Sequence, residues 1–210
     1  MILPRLYPIL DTALYAQRQF SLLEAARLLV DSGVHLMQWR CKVAVGTAEL
    51  NELEELQELC QRSGATLVVN DRADLALMIG ARGVHVGQTD LHPRAVRQLA
   101  GPQALLGYST HNREQFLHAA RLPVDYLALG PIYGTVNKES PDPEVGLETL
   151  QLCSGLTRLP VVAIGGITRA NALKVFAAGA ASVAVIGDLV PEHCDGGTFR
   201  HRLNEWLRIL

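Results

Sequence analysis

Three short stretches of the chain place cations, carboxylates and amides where they could act together on a polyanion. The first is Gln38-Trp39-Arg40-Cys41-Lys42. In extended backbone, alternate side chains share a face, so Gln38, Arg40 and Lys42 point the same way. Two cations on one face suit a diphosphate; the plain alternative is an ion pair at the rim of the fold. The other two stretches are Asn70-Asp71 and Gln88-Thr89-Asp90. Two carboxylates near cations make a hard-oxygen site for Mg²⁺, the usual companion of a diphosphate. Asp71 equally suits the N-cap of the helix in DLALMIG. In Ser109-Thr110-His111-Asn112, Ser109 could donate to a phosphate oxygen or cap the next helix. The loop from Gly130 to Lys138 carries glycines and hydroxyls and ends in a cation that could close over an anion. Gly165-Gly166 and Gly187 follow apolar runs, and bare backbone N–H groups there can approach a phosphate. His85 lies inside an apolar run and reads as a satisfied core imidazole. The spacing of His92, His118, His193 and His201 matches no metal motif.

Eight apolar runs must position these groups: LYPIL (6–10), VHLMQ (34–38), TLVVN (66–70), GVHV (83–86), ALLGY (104–108), DYLAL (125–129), PVVAI (160–164) and SVAVI (182–186). Most are continuously apolar rather than alternating, as in a parallel sheet covered on both faces. Helical patterns lie between several of them. Ser21 with Glu24 forms a capping box before LLEAARLLV, and Gly33 is placed to end that helix. Leucines 50, 53, 56 and 59 line TAELNELEELQELCQRSG, with Gly64 as the stop. Pro93 suits a first helical turn, Asn112 with Gln115 resembles a cap, and Thr168 precedes RANALKVFAAG. The segment TFRHRLNEWLRIL is amphipathic. Eight strands alternating with helices in 210 residues predict an α/β chain forming one (β/α)8 TIM barrel over residues 1–210. A doubly wound open sheet is the competitor, but it usually has fewer strands, and no G-x-G-x-x-G follows the first run. In a barrel the active site lies at the carboxyl ends of the strands, where all the segments above fall. The longest polar loop is NKESPDPEVG (137–146), and long loops of this kind often carry function.

Composition narrows the class further. With 49% hydrophobic and 19% charged residues, the chain can build a sizeable core and is not a disordered segment. No apolar run reaches the roughly 18 uncharged residues of a membrane span. The segment MILPRLYPILDTALY is broken by Arg5 and Asp11 and lacks the marks of a signal peptide. A net charge of −2, 5% aromatics and no basic run argue against a nucleic-acid surface. Four scattered cysteines without a CxxC pair read as reduced thiols of a cytoplasmic protein. Small molecules are the expected partners, and a homo-oligomer stays open.

Taken in order, the segments LYPILD, MQWRCK, VVNDRADLALMIGARGVHVGQTDL, LLGYSTHN, DYLALGPIYGTVNKES, VGLE, PVVAIGGI and VAVIGDL resemble the thiamine phosphate synthase family over nearly the whole chain. The resemblance implies a transferase that condenses hydroxymethylpyrimidine diphosphate with a thiazole phosphate, giving thiamine phosphate and pyrophosphate by a dissociative, Mg²⁺-assisted route. It implies that Gln38, Trp39, Arg40, Cys41, Lys42 and Asn70 hold the pyrimidine diphosphate and that Asp71 and Asp90 bind Mg²⁺. Ser109 and Lys138 would contact the diphosphate. Thr135, Val136, Asn137, Gly166, Ile186 and Gly187 would surround the thiazole phosphate. Arg40, Lys42, Ser109 and Lys138 would be the catalytic set. Three departures fall on the thiazole side: Asn137 where threonine is usual, Gly187 where serine is usual, and Asp188, a carboxylate expected to repel a phosphate. Cys41 stands where the family often has an acidic or small polar residue. Two alternatives share the barrel: a thiazole tautomerase-like enzyme, whose histidine after strand six is replaced here by Pro131, and a non-catalytic paralogue that binds thiamine precursors.

Overall fold

The computed structural model describes residues 2–134 and 143–210. Among them, β1 (Leu6–Asp11), β2 (Leu36–Arg40), β3 (Thr66–Asn70), β4 (Gly83–Val86), β5 (Leu105–Thr110), β6 (Tyr126–Leu129), β7 (Val161–Ile164) and β8 (Ser182–Val185) pair in sequence order. Every pairing is parallel, and β8 closes onto β1, so the sheet is a barrel without edges. The helices are α1 (Thr12–Gln17), α2 (Leu22–Asp31), α3 (Thr47–Ser63), α4 (Ala73–Met78), α5 (Pro93–Ala100), α6 (Arg113–Ala119), α7 (Gly146–Ser154), α8 (Ala172–Ala177) and α9 (Gly196–Ile209). No helix among the described residues is long and apolar enough to cross a membrane. The (β/α)8 architecture expected from the pattern is the one observed.

The caps explain most of the boundaries. Ser21 accepts from the Glu24 N–H at 3.2 Å, and Asn112 from the Gln115 N–H at 2.9 Å. Gly33 and Gly64 take left-handed φ values of 84° and 74° past the ends of α2 and α3, a conformation that a Cβ disfavours. Two elements differ from expectation. The apolar run ends at Gln38, but β2 continues to Arg40, because Asp11 and Arg40 lie side by side in the β1–β2 register. Helix α8 begins at Ala172 rather than after Thr168. There Asn171 Oδ1 accepts from the Thr168 N–H at 2.8 Å and Nδ2 donates to the Gly166 carbonyl at 3.0 Å, closing a turn first.

The pleat divides the core into two shells. Leu10, Trp39, Val69, Val84 and Leu127 face outward and pack among the helices. Tyr7, Ile9, Leu36, Val68, Tyr126, Ala128, Val162 and Ala184 fill the barrel interior. Interior crowding makes Gly107 a tight position: a Cβ there would lie 2.1 Å from Tyr126 Cζ and 2.4 Å from His85 Nδ1. Gly107→Ala is expected to cost about 2–3 kcal/mol, since neither ring can yield without moving its strand. Urea unfolding of the two proteins measures it, and equal stability would refute the crowding.

Candidate active site

A cavity of about 650 Å³ opens at the carboxyl end of the strands. A TIM-barrel interior is normally filled by side chains. Here Ala128 and Ala184 stand where larger residues would close the upper layer, and the space reaches down to Tyr7 and Tyr126. Ile9, Val162, Ile164 and Ile186 complete an apolar wall, while the mouth is polar.

At the mouth, Gln38, Arg40 and Lys42 all line the cavity. Arg40 pairs with Asp11, whose other oxygen accepts from the Leu14 N–H at 3.0 Å and so caps α1. The first strand therefore anchors the Arg40 guanidinium. Lys42 Nζ donates to Asp71 Oδ2 at 2.5 Å with half its side chain exposed. Asp71 has a left-handed φ of 63°, and Arg72 occupies the N-cap position of α4. The alternative reading of Asp71 as a helix cap is thereby set aside: its carboxylate faces the cavity. Asp90 Oδ2 accepts from the Gly87 N–H at 2.7 Å. Burial pushes the Asp90 carboxyl above the usual carboxylate range. The adjacent Asp71 carboxylate pushes the same way, opposed by the Gly87 N–H and the Lys42 charge. Crowded carboxylates of this kind are relieved by a divalent cation, and hard oxygens are its preferred donors. Among the described residues no three His, Cys, Asp or Glu side chains gather at one point; Asp71 and Asp90 are the two carboxylates that meet here.

Residues 6–189 match the family described as thiamine monophosphate synthase. The chain is 46% identical over 210 residues to a thiamine-phosphate synthase of Koribacter versatilis, covering 99% of this chain and 96% of that one. The chain belongs to the thiamine monophosphate synthase family. A thiamine-phosphate synthase of Chloroflexus aurantiacus is 41% identical over 187 residues, covering 89% and 85% of the two chains. Among solved structures, a thiamine phosphate pyrophosphorylase from Pyrococcus furiosus superposes with a TM-score of 0.82 at 30% identity, over 98% and 94% of the chains.

Most positions that the family resemblance points to are brought together. Asn70, Asp71, Asp90, Ser109, Gly166, Ile186 and Gly187 line the same cavity as Gln38, Arg40 and Lys42. Thr135, Val136, Asn137 and Lys138 lie outside the described residues. Trp39 and Cys41 do not line the cavity: both are buried in the outer shell. Trp39 Nε1 donates to Glu52 Oε1 of α3 at 3.2 Å, and Cys41 Sγ lies 3.7 Å from the Val43 carbonyl. The pleat that aims residues 38, 40 and 42 at the cavity turns 39 and 41 away from it.

Asp188 lines the cavity, but its charge is not bare. Its Oδ2 accepts from Arg169 Nε at 3.0 Å and from the Arg169 N–H at 3.3 Å, and Arg202 of α9 donates to its carbonyl at 2.8 Å. Arg169 also pairs with Glu205. The expected repulsion of a phosphate is offset by these cations. Glycines 165 and 166 have φ values of 97° and 62°. A Cβ at 166 would lie 2.6 Å from the Gly134 carbonyl, so the β6 and β7 loops touch only because this residue is glycine.

Sequence reasoning missed Tyr7, Tyr126 and Asp11, and treated His85 as incidental. His85 is indeed buried and hydrogen-bonded, to Tyr126 OH at 2.9 Å and Ser109 Oγ at 2.8 Å, yet it also lines the cavity. Strand parity was the available signal: His85 lies beside Asn70 in one pairing and beside Gly107 in the next. Burial lowers its pKa to about 4, with Lys42 acting the same way and Asp90 opposing. The unfolded imidazole protonates near pH 6.5. Between those values the unfolded chain binds the extra proton, so stability is lost as pH falls from about 6.5 towards 4, by at most about 3 kcal/mol. Urea unfolding at pH 7 and pH 4.5 should show a smaller loss in His85→Gln than in the native protein. Equal losses would mean that the imidazole is not held neutral.

Proposed function

We infer that this protein is a thiamine-phosphate synthase, which joins 4-amino-5-hydroxymethyl-2-methylpyrimidine diphosphate to a thiazole phosphate. The carrying observation is one cavity with two cations and two carboxylates at its mouth above an apolar well. The polar mouth suits a diphosphate, and the well suits a heteroaromatic ring.

In this reading the C–O bond between the pyrimidine methylene and the diphosphate breaks, and pyrophosphate departs with the electron pair. The thiazole ring nitrogen then supplies the pair for the new C–N bond. Arg40, Lys42 and Lys138 meet the negative charge that grows on the leaving group, a stabilisation larger in the transition state than in the bound substrate. Asp71 and Asp90 would hold Mg²⁺, which would supply Lewis-acid stabilisation of the departing pyrophosphate. Asn70 and Ser109 steady the diphosphate, and Gln38 the pyrimidine. The aliphatic wall of Ile9, Val162, Ile164 and Ile186 keeps water from the electron-deficient methylene. Gly166 and Gly187 offer backbone N–H groups to the thiazole phosphate, and the family resemblance assigns Thr135, Val136 and Asn137 to the same ligand. The described cysteines are free, which supports a reducing, cytoplasmic setting.

The test is direct. Purified protein with both precursors and Mg²⁺ should form thiamine phosphate and pyrophosphate one for one. Absence of product with both precursors bound would overturn the reading.

A further inference from the structure

Four hydrogen bonds join five side chains from five strands across the barrel interior. Gln38 Nε2 donates to Tyr7 OH at 3.0 Å, and Tyr7 OH lies 3.0 Å from Tyr126 OH. Tyr126 OH lies 2.9 Å from His85 Nδ1, and His85 Nε2 lies 2.8 Å from Ser109 Oγ. Both phenols are at most 1% exposed, so water has little access to them. The ends of the row, Gln38 and Ser109, line the cavity described above.

Once its first donor is set, only one direction gives each phenol hydrogen a partner within the row. An amide nitrogen donates and a phenol carries a single hydrogen. Tyr7 receives from Gln38, so its own hydrogen goes to Tyr126. Tyr126 receives from Tyr7, so its hydrogen goes to His85 Nδ1. That nitrogen must then hold a lone pair, which places the imidazole proton on Nε2, aimed at Ser109. The Ser109 oxygen is occupied as an acceptor, and its hydroxyl hydrogen is left for the cavity. At the other end the Gln38 amide turns its oxygen away from Tyr7. We propose that Tyr7, Tyr126 and His85 are positioning residues that set hydrogen-bond polarity in the cavity, holding Ser109 as a donor toward the ligand and fixing which way round the Gln38 amide sits. A hydroxyl and an amide otherwise present either polarity, and the wrong one meets a ligand acceptor with a lone pair. Nδ1 can accept from the Tyr126 hydroxyl only in the neutral imidazole.

The test has two arms. The first needs no activity: ¹⁵N NMR of the native protein should show His85 with its proton on Nε2. A proton on Nδ1 would overturn the proposal, because the row would then run the other way and Ser109 would be an acceptor. The second arm is Tyr126→Phe, which keeps the ring and removes the central link. Its His85 should show a mixture of tautomers, with the melting temperature recorded as a check on folding. This arm rests on the synthase reading. There the KM for the pyrimidine diphosphate should rise about tenfold, as expected for one weakened hydrogen bond to an ionised oxygen, with the thiazole phosphate KM unchanged. A folded variant with mixed tautomers and an unchanged pyrimidine diphosphate KM would overturn the role at the site. If the protein makes no thiamine phosphate at all, the tautomer arm still decides the direction of the row.

Discussion

Asp90→Asn is expected to lower kcat about a hundredfold while leaving the fold intact. The native carboxylate accepts from the Gly87 N–H at 2.7 Å, and an asparagine Oδ1 can keep that bond. The substitution removes charge rather than structure. It also relieves the crowding with Asp71 that, after burial, helps push the Asp90 carboxyl up. Stability should therefore be unchanged or slightly higher. In the proposed reading, activity falls because Asp71 would be the single carboxylate left to hold the dication. A preorganised charge aimed at a developing anion is worth roughly 3 kcal/mol, which is the hundredfold. Titrating Mg²⁺ into native and variant enzyme should show the variant needing more metal, and excess chelator should silence both. Full native turnover in chelator would remove the metal from the mechanism.

The second large effect separates the two cations of β2 and its following loop. Lys42→Ala and Arg40→Ala should each lower kcat/KM for the pyrimidine diphosphate by about a hundredfold, because in the proposed reading each removes a charge facing the leaving group. Their effects on stability should differ. The Lys42–Asp71 pair is half exposed on the lysine side, and such pairs contribute about 0–1 kcal/mol. The Arg40–Asp11 pair is deeper, with side-chain exposures of 22% and 10%. Removing Arg40 leaves the Asp11 carboxylate in a buried position with only the α1 N–H for company. A cost of about 1–3 kcal/mol follows from the stranded acceptor. Urea unfolding and steady-state kinetics on both variants check the contrast. Equal stability losses would mean that Asp11 does not depend on Arg40.

The eight-stranded pattern, most caps and the inward parity of Gln38, Arg40 and Lys42 were legible in the sequence. These properties are local: a helix stop or a pleat is set by residues within a few positions of one another. The family resemblance also located Asp71, Asp90, Ser109 and Gly166, which do share one cavity. It also named Trp39 and Cys41, which the pleat turns outward, because a contiguous motif ignores the alternation of side chains along a strand. Other features waited for the tertiary structure. Whether Asp71 capped a helix or faced the cavity turned on its backbone, whose φ of 63° takes it out of the cap. Asp188 looked like a repulsive charge until Arg169, in the loop after β7, and Arg202, on α9, were seen to hold it. Tyr7 and Tyr126 are 119 residues apart, and each alone reads as an aromatic in an apolar strand. Their contact exists because closure of β8 onto β1 brings side chains from opposite walls together at the centre. Periodicity in the chain specifies which way a side chain points; only closure of the barrel specifies what it meets there.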